Sequence, residues 1–357
     1  MLERIVQQFF PGAPVASVTL FGNGHINTTY KLDLKDNANS YILQLINTKV
    51  FNNPKGIADT HTRLQEAIFS KEQPLVIAEL IPTVSGEKLY TDPEGGVWRM
   101  TSCIKDSISI EVVEKEWQAR EAGHGFGWFA RACTELDAST FKEAIKDFHR
   151  LSFRIAQLDE AIHNNRADRL GGVMDVVSFY KERQATLSRI ETMVDEGKIP
   201  LRVVHNDTKI NNILFRDNKA VAVIDLDTVG PGILYYDYGD ALRTSANKAT
   251  EDEQDLSKVD FNMEAFTAFT QGYMAQVKSV LSSKEAEYFY LAPFLMTYIM
   301  GIRFLADYLN GDVYYKTAYI EHNIVRSRVQ KKLIESMEKH EGAMKHIIEE
   351  SLSPVNK

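Results

Sequence analysis

Between positions 203 and 227 the chain reads V-V-H-N-D-T-K-I-N-N-I-L-F-R-D-N-K-A-V-A-V-I-D-L-D. V-V-H and A-V-A-V-I have the apolar character of buried strands, so the polar residues between them are confined to loops. One short loop then holds His205, Asp207, Lys209 and Asn212, and Asp225 ends the next strand. A carboxylate in such a loop can accept the proton of a hydroxyl group. An asparagine and a second carboxylate supply the hard oxygen ligands that Mg²⁺ prefers. Asp207 to Asn212 has the spacing D-x-x-x-x-N, and Lys209 stands where its ammonium can reach a transferring phosphate. A polar loop between two core strands would explain a lone H-x-D. Five positions in this order favour phosphoryl transfer, with Asp207 as base, Lys209 as its cationic neighbour, and Asn212 and Asp225 as metal ligands. Asp227 reads equally as a further metal ligand or as an ordinary loop residue.

The rest of the chain supports a body large enough for such a site. Its 357 residues suffice for two lobes with a substantial core. A net charge of −8, spread over short mixed stretches, argues against a nucleic-acid partner. Two cysteines, Cys103 and Cys133, are too few for a disulfide framework and read as free thiols of a reducing compartment, so a cytoplasmic location is expected. Glu3 interrupts the first residues, which do not read as a signal peptide. The apolar run 288–302 contains Pro293 and reads as a core helix too short to cross a membrane. Leu2, Ile5, Val6, Phe9 and Phe10 share one helical face. Strands are expected over 15–21, 28–34, 41–46, 75–81 and 97–104, with a helix over 57–70. Helical periodicity dominates 112–136, 141–163, 173–196, 261–280, 284–309 and 317–351. The expected fold class is α+β, with a small N-terminal antiparallel β lobe over 1–106 and a larger helical lobe over 107–357 that carries the catalytic loop. A nucleotide would sit in the cleft between them.

Within the first lobe, F-G-N-G-H-I-N-T-T-Y joins the first two expected strands. Gly22 and Gly24 can bring backbone N–H groups close to phosphate oxygens, although a plain hairpin would also use them. His25, Asn27 and Thr28 add side-chain donors. In a protein kinase the third strand carries V-A-I-K, whose lysine pairs with nucleotide phosphates. Here Y-I-L-Q puts the neutral Gln44 in that place, so the positive charge has to come from Mg²⁺, Lys209 or another basic group. His149, in D-F-H-R, reads as a packing or capping residue. Arg303 lies in an apolar helical segment with Phe304, Asp307 and Tyr308. It must either pair, most simply with Asp307 one turn away, or face a cleft.

These blocks together resemble the aminoglycoside phosphotransferase and choline kinase group, the small-molecule branch of the protein-kinase-like fold. The match is closer to the N-acetylhexosamine 1-kinases. It is carried by G-N-G-H-I-N-T-T-Y, Y-I-L-Q, H-N-D-T-K-I-N-N, V-I-D-L-D-T-V-G-P-G, Y-D-Y-G-D-A-L-R and G-I-R-F-L-A-D-Y-L-N-G-D-V-Y-Y-K, which span residues 22–316. The resemblance implies ATP- and Mg²⁺-dependent phosphorylation of the anomeric hydroxyl of N-acetylglucosamine or N-acetylgalactosamine. It makes Gln44 a family trait. By position it places Asp207 as the base, Asn212 and Asp225 at the metal, and His25, Arg303 and Tyr314 around the sugar. Gly22, Gly24, Asn27, Thr28 and Gln44 fall on the nucleotide side. Gly230 and Ser245 are expected in variable loops. The rival readings are a kinase for another small alcohol and a nucleotide-binding pseudokinase scaffold.

Overall fold

The structure, a computed structural model, describes residues 1–22, 26–35, 37–69 and 75–353. Gly24 and His25 therefore lie outside the described residues. The N-terminal part is built on a meander of β1 (Val15–Leu20), β2 (Thr28–Leu34) and β3 (Ser40–Ile46), followed by α2 (Pro54–Phe69). β4 (Val76–Ile77), β5 (Leu80–Ile81), β6 (Tyr90–Thr91), β7 (Val97–Ser102) and β8 (Ile108–Ser109) follow. The sheet runs β1-β2-β3-β7-β5 with β6 also on β7, antiparallel throughout. Leu32, Leu34, Leu43, Trp98 and Met100 project from it onto Ile5, Val6 and Phe9. The N-terminal helix α1 (Leu2–Val6) is shorter than its apolar face suggests, and Phe9 and Phe10 follow in turns closed by the Val6 carbonyl.

The helical part contains α3 (Glu116–Ala132), α4 (Leu151–Asn164), α5 (Met174–Asp195), α6 (Leu234–Ser245), α7 (Met263–Val277), α8 (Ser283–Tyr288), α9 (Ala292–Asn310) and α10 (His322–Leu352). Embedded among them are β9 (Arg202–Val204), β10 (Ile213–Arg216), β11 (Lys219–Val223) and β12 (Gly230–Gly232). This is the α+β class expected. Helices α3 and α7 approach so closely that a Cβ on Gly123 would stand 2.1 Å from the Phe269 carbonyl oxygen. One on Gly272 would stand 2.1 Å from that of Arg120. Glycine at both positions is what permits the contact.

Several expectations from the sequence need correction. The strand expected over 75–81 is split: β4 pairs in parallel with β11 of the second sheet, whereas β5 pairs with β7. Between them the Ala78 carbonyl binds His61 Nε2 at 2.7 Å and the Glu79 N–H donates to Ser102 Oγ at 2.8 Å, so neither group joins a ladder. The helix expected from 141 begins only at Leu151, because Asp147 is left-handed at φ 53° and Arg150 is extended. Helix α6 has no counterpart among the expected elements. Gly230 lies in β12 and Ser245 in the last turn of α6, not in loops. The stretch Ser283–Asn310, which contains the run 288–302, is by length and composition apolar enough to cross a membrane. However, 89% of its most apolar window is buried, and those side chains form the protein's own core. Cys103 is half-buried and Cys133 buried, both as free thiols.

Candidate active site

Strand β9 delivers His205 into the interior, and a set of buried hydrogen bonds then shapes the loop. Asp237, in the first turn of α6, accepts the backbone N–H groups of His205 and Asn206, each at 2.8 Å. The Thr208 hydroxyl donates to the Asp237 carbonyl at 2.5 Å. His205 Nδ1 accepts the Asp207 N–H at 3.3 Å, so Nε2 carries the proton and donates to the Ile224 carbonyl at 2.9 Å. The imidazole meets Phe126 and Phe129 edge-on. One ring therefore fixes the start of the Asp207 loop against the residue that precedes Asp225. His149 supports the loop from outside through Nε2, 2.8 Å from the Asn206 carbonyl. Burial drives its pKa down to about 3, and it stays neutral at physiological pH.

Asp207 sits at the mouth of this frame. Burial alone would raise its carboxyl, but the Lys209 ammonium outweighs it and holds the group below its usual range. Lys209 Nζ lies 3.1 Å from Asp207 Oδ1, and its own pKa is raised by that carboxylate. Asn212 Nδ2 donates to the Asp207 carbonyl at 2.8 Å and reaches Asp207 Oδ2 at 3.5 Å. Asn212 Oδ1 accepts no hydrogen bond among the described residues. Asp225, left-handed at φ 59°, faces the same space. Burial and the neighbouring carboxylates of Asp227 and Asp207 push it up to about 7. Asp225 and Asp207, with the Asn212 amide oxygen beside them, offer hard oxygen donors to a divalent cation. Among the described residues no group of three or more His, Cys, Asp or Glu forms a protein cage for a metal. A small set of oxygen donors fits Mg²⁺, which retains several waters.

On the β-sheet side the sequence candidates divide. Gly22 is exposed with φ 76°, and Thr28 is exposed at the head of β2. Asn27, Gln44 and Asp227 are joined in one hydrogen-bonded set with Arg99. Asn27 Nδ2 donates to Asp227 at 2.7 Å, and Arg99 grips both oxygens of Asp227. Arg99 Nε also donates to Gln44 Oε1 at 2.8 Å.

On the opposite side, Arg303 is buried in α9 with its guanidinium over the rings of Phe148 at 5.0 Å, Tyr315 at 5.5 Å and Tyr314 at 5.9 Å. It is not paired with Asp307, whose oxygens instead accept the N–H groups of Val313, Tyr314 and Tyr315 and the side chain of Asn323. Arg303 thus has no carboxylate partner among the described residues. The Phe148 ring under the guanidinium packs on His149 at 4.3 Å, and His149 binds the Asn206 carbonyl beside Asp207, so Arg303 stands one layer from the Asp207 loop. Tyr314 is largely exposed beside it.

Sequence reasoning missed Asp237 and Arg99. Asp237 lies in the Y-D-Y-G-D block, where an acidic residue at a helix start is the available signal. Arg99 is a charge in the middle of the apolar strand V-W-R-M-T-S. Replacing Asp237 by alanine leaves two buried N–H groups unpaired. It should cost roughly 2–5 kcal/mol, read as a fall in urea midpoint without a change in m.

Known proteins share this chain's family and fold. Residues 17–268 match the phosphotransferase enzyme family. A microcompartment-associated aminopropanol kinase superposes with a TM-score of 0.67 at 17% identity, covering 95% of this chain and 98% of that one. Choline kinase from Cryptosporidium parvum Iowa II gives 0.60 at 13% identity over 99% and 98%. The ADP-bound aminoglycoside phosphotransferase APH(2'')-Ib gives 0.54 at 14% over 94% and 98%. Identities this low speak for the shared fold, and the family match over most of the chain carries membership. The chain belongs to the phosphotransferase enzyme family.

Proposed function

We propose that this protein is an ATP-dependent, Mg²⁺-dependent kinase of small alcohols whose acceptor is the anomeric hydroxyl of an N-acetylhexosamine. The observation that carries the acceptor class is Arg303, a buried guanidinium without a carboxylate partner among the described residues, on a ring-lined wall near Asp207. Arg303 Nη1 donates to Met300 Sδ at 3.3 Å, and the rest of its fork, set against aromatic faces, suits the oxygens of a neutral sugar. It disfavours an amine. The aligned kinases act, by their names, on aminopropanol, choline or aminoglycosides, and such cations would meet Arg303 and Arg154. Burial and Arg303 together push Arg154 down to about 10. Asp240 and Glu251 could have drawn an amine, but Arg243 pairs with both.

In this reading residues 1–106 and 107–357 form the two lobes, and ATP lies between them with its phosphates under the segment around Gly22. Asn212 and Asp225 would hold Mg²⁺, which when bound neutralises charge on the phosphate oxygens. Asp207 accepts the proton of the acceptor hydroxyl, helped by a pKa low enough to keep the carboxylate ionised. Lys209, already against Asp207, can follow the transferring phosphoryl group. Arg303 and Tyr314 orient the sugar.

An acceptor screen with ATP and Mg²⁺, coupled to ADP release, tests the reading. A free N-acetylhexosamine should be preferred and a 6-deoxy analogue should react. A methyl glycoside, blocked at the anomeric oxygen, should be inert. Product NMR showing phosphate at O6, or turnover of the methyl glycoside, would defeat the 1-kinase assignment while leaving the small-alcohol kinase standing.

A further inference from the structure

Strand β3 offers the nucleotide no fixed positive charge, yet a buried one lies on the next strand. Thr29, Gln44 and Arg99 are directly opposite one another across β2, β3 and β7. Their side chains form a single chain of hydrogen bonds. Gln44 Nε2 donates to Thr29 Oγ1 at 3.0 Å, and Gln44 Oε1 accepts from Arg99 Nε at 2.8 Å. The remaining edge of the guanidinium holds Asp227 by two bonds, Nη1 to Oδ1 and Nη2 to Oδ2, the latter at 2.9 Å. Asn27, just beyond the glycine-containing segment, donates to Asp227 at 2.7 Å and accepts the Asn47 N–H at 2.9 Å. Arg99 is 4% exposed and Asp227 3%. An ion pair buried so deeply contributes little net stability, because desolvation offsets most of the attraction. Its geometric effect is larger: it ties a loop of the helical part, two residues from Asp225, to the sheet that faces the nucleotide.

We propose that Arg99 is the positioning residue for the nucleotide's metal: by clamping Asp227 against Gln44 it fixes the Asp225 loop to the β-sheet. This rests on the kinase reading above. Gln44 and Asp227 act as the two jaws of that clamp, and Asn27 extends it to the head of β2. A lysine in place of Arg99 could not hold both Asp227 oxygens and Gln44 at once.

Calorimetric titration of ATP with and without Mg²⁺ measures how far the metal tightens nucleotide binding. In wild type that gain should be at least about tenfold, as for a site built around a metal-bound phosphate. In Arg99→Met it should largely vanish, and kcat should fall on the order of 100-fold, the effect of a small misplacement at a transfer site. Arg99→Lys should not restore either. Arg99→Met leaves Asp227 buried and unpaired, so the double variant Arg99→Met/Asp227→Leu should recover the melting temperature while the Mg²⁺ gain stays lost. An undiminished Mg²⁺ gain in Arg99→Met, full rescue by Arg99→Lys, or return of the gain in the double variant would each overturn the proposal. Wild-type protein that binds no ATP would sink the kinase reading instead.

Discussion

Asp207→Asn should lower kcat by about 10²–10⁴-fold while ATP binding changes only a few-fold, the range expected when a general base is removed. The substitution preserves size, and Asn212 Nδ2 donates mainly to the Asp207 backbone carbonyl, so the loop keeps its shape. What disappears is the acceptor whose ionised form is held by Lys209 at 3.1 Å. Because proton acceptance matters only as the phosphoryl group moves, the loss belongs to kcat and not to ground-state binding. Steady-state kinetics combined with an ATP-binding measurement check it. A variant with near-wild-type kcat would remove Asp207 from the base role, and a variant that no longer binds ATP would make it a structural residue.

The reach of sequence reasoning follows from how local each constraint is. His205, Asp207, Lys209 and Asn212 fall within eight residues, and their chemistry restricts their order, so the loop is legible from its residues alone. The antiparallel meander is legible for the same reason, since alternation within β2 belongs to β2 alone. Helix α6 is not. Ten of its twelve residues are buried, Asp237, Asp240 and Arg243 among them, so its polar positions do not mark a solvent face, and Gly239 interrupts its propensity. That glycine has a tertiary cause: a Cβ there would stand 2.2 Å from the Ala292 carbonyl oxygen of α9. The division of 75–81 between two sheets likewise depends on partners far along the chain.

The site shows the same limit. Asp227 reads equally as a metal ligand and as a loop residue because its neighbours in sequence do not decide between them. Arg99, 128 positions away, occupies both of its oxygens. Arg303 is ambiguous in the sequence between a pair with Asp307 and a cleft position. The i,i+4 spacing permits the pair, but Asp307 is consumed in closing the chain after α9 through three backbone N–H groups. In each case a short-range rule is correct as a possibility and is outcompeted by a long-range or backbone partner.

Asp225→Asn should separate activity from stability in opposite directions. Turnover should fall by roughly 10³-fold, the scale of losing a principal charge-stabilising group at a transfer site, and added Mg²⁺ should no longer tighten ATP binding. Yet the metal-free variant should melt no lower than wild type. Asparagine tolerates the left-handed backbone at this position, φ 59° in the native chain, and it relieves the repulsion among Asp225, Asp227 and Asp207. The pH dependence follows from the same crowding. The native carboxyl is raised to about 7 from an ordinary value of 3.8, so between these values the folded metal-free protein binds more protons than the unfolded chain. Its stability is therefore fully supported below the lower value and declines as pH rises through about 7. Asparagine has no such titration, so the melting temperature of metal-free Asp225→Asn should gain on that of wild type between about pH 5 and 8. Saturating Mg²⁺ should stabilise wild type and close that gap, since a cation offsets the same repulsion. Melting curves over this pH range, with chelator and with Mg²⁺, test each step. A variant that loses stability at every pH would show that Asp225 holds the fold and would leave the metal without its main carboxylate.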